Sequence, residues 1–73
     1  MNDVTSQEFI DDIIERLTRA MGDIADNLQE RNEPPIFDYK WNLFYDLKYC
    51  IQNADSEEKA FEISKIAEDC LKE

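Results

Sequence analysis

The feature that most constrains this chain is a run of apolar residues near its start. Ile10, Ile14, Leu17, Met21, Ile24 and Leu28 follow one another at spacings of 4, 3, 4, 3 and 4. That alternation keeps one face of an α-helix apolar for nearly three heptads, whereas a strand alternates its faces with period two and cannot use it. Ile13 and Ala20 widen the seam on one side. Thr5 and Glu8 have the spacing of a capping box, with Val4 and Phe9 placed as a hydrophobic staple around it. The pattern predicts a helix over about 6–31. Glu33, Pro34 and Pro35 end it, because proline lacks an N–H and disfavours helix in the residue before it. Gly22 is the one local conflict, since glycine inside a helix costs about 1 kcal/mol relative to alanine. The seam passes through it without a phase shift, which favours a continuous helix; a kink there is the alternative.

Beyond the prolines the apolar period resumes. Phe37, Trp41, Phe44, Leu47 and Ile51 form one stripe, broadened by Leu43 and Cys50, and predict a helix over about 37–53. Pro35 is tolerated just ahead of it, because first-turn N–H groups need no partner inside the helix. The run Asp55-Ser56-Glu57-Glu58 resembles another capping box, with Asp55 as cap, and opens a third helix over about 56–72. Its inward residues are expected to be Ala60, Ile63, Ile66, Ala67, Cys70 and Leu71. The fold class is therefore all-α: a small three-helix bundle with a long N-terminal helix, occupying residues 1–73 as one domain. The lengths do not match, because the first helix would span about 39 Å and the others about 25 Å. Either the long helix kinks at Gly22, or a second copy of the chain covers the seam Ile10, Ile14, Leu17, Met21, Ile24 and Leu28 as a homodimer.

Composition limits what such a bundle can do. Seventy-three residues lie near the lower limit for a self-sufficient core. Eighteen acids stand against eight bases, a net charge of −10, and there is no histidine. Without histidine, a glycine-rich phosphate loop or a nucleophile with an evident partner, catalysis is not expected. The carboxylate pairs Asp11–Asp12 and Glu57–Glu58 look like surface pairs. No cofactor is expected. Two cysteines twenty residues apart are too few for a zinc site, and no segment matches a calcium loop. Cys50 and Cys70 sit at apolar helical positions and read as two buried free thiols in a reducing cytoplasm. No apolar run approaches a membrane span, and the polar opening residues do not resemble a secretory signal. Direct nucleic-acid binding is disfavoured by the negative field.

Two surfaces are candidates for binding. Charge is divided unevenly: residues 5–33 carry eight acids and three bases and residues 55–73 seven and three, while 34–54 carry two of each. A neutral helix thus lies between two acidic ones, and it holds six of the chain's eight aromatics. The simplest account makes that helix the hub of the core. Trp41, Tyr45 and Tyr49, however, step by four and drift to the flank of the stripe, where an aromatic ladder could dock a partner. The second surface is an acidic stripe. At about 100° per residue, Glu8, Asp11, Asp12, Glu15, Asp23, Asp26 and Glu30 fall within a sector of about 120° opposite the seam. Only Arg19 lies inside that sector, with Arg16 at its edge. Like charges three and four apart weaken a helix by a few tenths of a kcal/mol per pair.

The expectation is a small, non-enzymatic protein that binds another protein. The carboxylate stripe, about 33 Å long, would occupy a basic surface of the partner, such as the nucleic-acid site of a DNA- or RNA-handling enzyme, in place of backbone phosphates. In type this resembles the small acidic anti-restriction and anti-CRISPR proteins carried by bacteriophages. The rival expectation is a structural or adaptor subunit, or a secretion-type chaperone, whose seam pairs with itself or with a partner helix. Binding that weakens steeply with salt separates the first from the second.

Overall fold

The seam winds residues Ser6–Glu30 into one 25-residue helix, α1, about 37 Å long, which includes Gly22. The computed structural model describes residues 6–72, so the Thr5–Glu8 box and the Val4–Phe9 staple involve residues outside the described range. Helix α1 ends before the prolines are reached. The Leu28 carbonyl accepts from the Glu33 N–H at 2.9 Å and the Gln29 carbonyl from the Asn32 N–H at 3.0 Å. Asn32 adopts the left-handed conformation at φ 57°. This is a Schellman motif built on asparagine, which tolerates that conformation better than most residues.

Pro35–Phe37 then form a single 3-10 turn, and the second helix, α2, spans Tyr39–Gln52. Asp38 sets its start. The Asp38 carboxylate accepts from the Trp41 N–H at 2.8 Å, and its carbonyl accepts the first helical bond from Asn42 at 3.1 Å. The Asn42 side-chain amide reaches back to the Ile36 and Asp38 carbonyls at 2.6 and 2.9 Å. The expected start at Phe37 is thus corrected by a cap one residue later. Phe37 leaves the core stripe and is 82% exposed.

The third helix, α3, spans Glu57–Lys72, and here too the cap differs from expectation. Ser56, not Asp55, caps it: its hydroxyl accepts from the Lys59 N–H at 3.2 Å and its carbonyl from the Ala60 N–H at 3.1 Å. Asp55 instead faces the Lys59 ammonium at 3.8 Å, an exposed pair worth little.

The three helices pack up, down and up. Ile10 and Ile14 line a cleft with Ile51 and Ala60, Met21 meets Trp41 and Tyr45, and Leu28 meets Phe37, so α2 runs antiparallel to α1. The core joins Ile10, Ile13 and Leu17 of α1 to Phe44 and Ile51 of α2 and to Ala60 and Ala67 of α3. Phe9 and Phe61 add an edge-to-face ring pair at 5.2 Å between centroids, with Lys65 over the Phe61 ring. The buried face of α3 is made of small residues, Ala60, Ser64 and Ala67, which admit the larger Ile13 and Leu17. Ser64 is fully buried, and its hydroxyl donates to the Ala60 carbonyl at 2.7 Å, so that hydroxyl is not orphaned.

Two expected inward residues lie elsewhere. Ile66 is 57% exposed, because it sits about 120° from the centre of the Ala60–Ser64–Ala67–Leu71 face. Cys50 is exposed for the same reason, about 120° from Phe44; Cys70 is half-buried, and both are free thiols.

Candidate protein-binding surface

Every member of the acidic stripe is exposed: Glu8, Asp11, Asp12, Glu15, Asp23, Asp26 and Glu30. The apolar period that turns the seam inward turns these residues outward, so the stripe follows from the fold of α1 itself. Its two halves differ electrostatically. In the N-terminal half Asp12 pairs with Arg16 at 3.5 Å and Glu15 with Arg19 at 3.0 Å, both at i,i+4 spacing, and Asp11 accepts from the Gln7 amide at 2.9 Å. In the C-terminal half no ion pair to Asp23, Asp26 or Glu30 forms among the described residues. The last turn of α1 carries no basic residue. Of the three, Glu30 lies in that last turn, at the negative end of the helix dipole, where an anion is disfavoured by about 0.3–1 kcal/mol.

The aromatic ladder is brought to one surface. Trp41 and Tyr45 stack face to face, with centroids 5.5 Å apart and planes 7° from parallel. Trp41 is half-buried, while Tyr45 and Tyr49 are 48% and 58% exposed. Sequence reasoning placed these three on the flank of α2, but it did not place Met21 with them. Met21 crosses from α1 to form, with Trp41, Tyr45, Lys48, Tyr49 and Gln52, a cleft of about 220 Å³. The signal was only partial: Met21 belongs to the seam, and its partner on α2 depends on the register between the helices. Farther along the same flank of α1, Ala25 and Gln29 line a second cleft, of about 340 Å³, with Pro34 and Pro35.

The seam assigned to self-association is largely spent inside the chain. Ile10, Leu17 and Leu28 are buried, and Ile14, Met21 and Ile24 are half-buried. What it leaves partly to solvent is Ile14 and Met21 on one edge and Ile24 on the other. At the corner between α1 and α2, Ile36, Phe37 and Tyr39 form a further exposed apolar group that the sequence had not suggested. Among the described residues, no group of three or more His, Cys, Asp or Glu is placed to hold a metal ion. No described helix is long and apolar enough to cross a membrane. Comparison with protein families, curated proteins and solved structures finds no match for this chain.

Proposed function

We propose that this chain is a non-enzymatic protein-binding protein whose α1 carboxylates occupy a basic surface of a partner, in the place nucleic-acid phosphates would take. The observation that carries the reading is the trio Asp23, Asp26 and Glu30. These residues repel one another at i,i+3 and i,i+4 spacing, Glu30 opposes the helix dipole, and none of the three forms an ion pair among the described residues. A helix selected only for stability gains by placing Lys or Arg there. A locally unfavourable arrangement on an exposed face is what a binding surface selected for another molecule looks like.

The density of charge narrows the partner. Seven carboxylates over about 33 Å give one per about 5 Å, against one phosphate per about 3.4 Å on each strand of a duplex. The stripe thus imitates a sparse set of phosphates, enough for a few arginines or lysines rather than a whole channel. Inhibition of a nucleic-acid enzyme, in the manner of phage anti-defence proteins, is the activity this supports best.

The test begins with affinity capture of the partner from a cell extract and its identification by mass spectrometry. Replacing Asp23, Asp26 and Glu30 together by lysine should leave the helix as stable or more so, yet reduce partner affinity by at least tenfold, chiefly through the association rate. Wild-type binding should weaken between low and physiological salt, and DNA or RNA should compete. A triple-lysine variant that folds and binds the captured partner at wild-type affinity would refute the reading.

A further inference from the structure

We propose that the corner between α1 and α2 is a self-association surface, covered in solution by the same corner of a second copy of this chain. The proposal stands apart from the stripe reading above and uses none of its residues.

The first observation is length. Helix α3 runs alongside α1, with Phe61 of α3 against Phe9 of α1. Counted on from that pair, Lys72 comes to the level of about Ala20, so the last turns of α1 extend about 15 Å beyond the described part of α3. Among the described residues, this end of the bundle is two helices thick. The second observation is what stands there. Ile36, Phe37 and Tyr39 lie within four residues of one another and are 63%, 82% and 78% exposed. Among the described residues neither ring stacks on another. At about 150–250 Å² for a whole aromatic side chain, the two rings offer about 240–400 Å², and Ile36 adds to that. A standard interface takes about 800 Å² from each partner. The corner is thus large enough for the apolar centre of a small interface, which fits a dimer of micromolar affinity and not a permanent one.

Charge selects a second copy as the occupant. The chain carries −10 overall, so its carboxylate-rich faces repel one another. The corner is the exception, because residues 31–40 hold Arg31, Glu33, Asp38 and Lys40, two of each sign. Arg31, Glu33 and Lys40 are exposed and form no ion pair among the described residues. A surface that carries both signs unpaired is complementary to itself. About a twofold axis the cations of one copy meet carboxylates of the other, and the contact occurs twice. A partner surface of one sign would leave half of these charges unmatched. Asp23, Asp26 and Glu30 face elsewhere, about 140–160° round α1 from Leu28, which lines a cleft with Arg31 and Phe37.

The test is the mass of the protein, by light scattering and sedimentation, over a dilution series from about 1 μM to about 1 mM. Wild type should pass from one chain to two within that range. Salt should change this little, since the corner has no net charge, whereas binding through the stripe is salt-sensitive. Phe37→Ser with Tyr39→Ser should leave the melting temperature of dilute protein unchanged and weaken the dimer at least tenfold. Arg31→Glu makes the corner negative and should weaken it several-fold at low salt. Amide NMR shifts of wild type give a measurement free of any folding effect: those that move with concentration should belong to residues 31–42. A wild type that stays one chain at about 1 mM overturns the proposal. So does a dimer that keeps its affinity in the double serine variant or in Arg31→Glu, or one whose moving shifts lie along the seam. Loss of the captured partner from the serine variant, with wild type a monomer, overturns it as well, because the corner would then belong to that partner.

Discussion

Replacing Gly22 by alanine isolates the backbone contribution of the long helix. The added methyl meets no atom within 4 Å, so it neither clashes nor gains a packing partner. What remains is the difference in helix propensity, about 0.8–1.0 kcal/mol in favour of alanine, part of which comes from a less flexible unfolded chain. Unfolding entropy near the midpoint is about 2.1 cal/mol/K per residue, or about 0.15 kcal/mol/K for a chain of 73 residues. A gain of 1 kcal/mol therefore raises the melting temperature by about 6–7 °C. Thermal melts followed by far-ultraviolet circular dichroism, at two protein concentrations, measure it. A melting temperature unchanged or lowered would refute the reasoning, because it would mean that the bare Cα is used within the folded protein. If the deficit grew with protein concentration, the user would be a second copy of the chain.

Two further outcomes follow from the core and the caps. Phe44 is buried at the centre of α2, and Phe44→Ala should cost about 3–5 kcal/mol, enough to leave so small a domain largely unfolded, while half-buried Leu47→Ala costs less; urea titrations that rank them the other way would contradict the packing described. Asp38→Ala removes the carboxylate that accepts from the Trp41 N–H and should lower stability by about 1 kcal/mol, with Asp38→Asn losing only part of that; an alanine variant as stable as wild type would show that the cap is idle.

Helices and their faces were legible in the sequence because a 3.6-residue period leaves little choice once six seam positions agree. What was missed arose where two local signals competed or where the partner helix decides. At Phe37 the apolar period favoured helix, but Asp38 and the Pro35 turn offered a cap one residue later, and a cap that satisfies an N–H outweighs one more apolar residue in register. At Asp55 the serine beside it is an equally good cap, and the choice depends on how the chain turns after Ala54. Ile66 and Cys50 are apolar residues at the edge of a wheel, where burial depends on the neighbour and not on the residue. Ser64 was overlooked because it is polar, although a hydroxyl that bonds its own helix is as small and nearly as apolar as alanine. The exposure of the acidic stripe was readable from the wheel, whereas the i,i+4 pairs Asp12–Arg16 and Glu15–Arg19 were not drawn from it. The joining of Met21 to the aromatic ladder was not readable there, because it needs the α1–α2 register that only tertiary packing sets.

The links between the helices have a consequence in time. Eight residues, 31–38, separate α1 from α2, and four, 53–56, separate α2 from α3, so successive helices can pack on each other across short links. Small helical bundles fold in microseconds to milliseconds, although here α1 must also wait for α3, about fifty residues farther on, to complete the core. Synthesis adds about 5–20 residues per second, or one residue in about 50–200 ms. Successive helices therefore have ample time to meet as they appear, and the domain is expected to close as soon as α3 is free to cover the apolar face that α1 and α2 leave open.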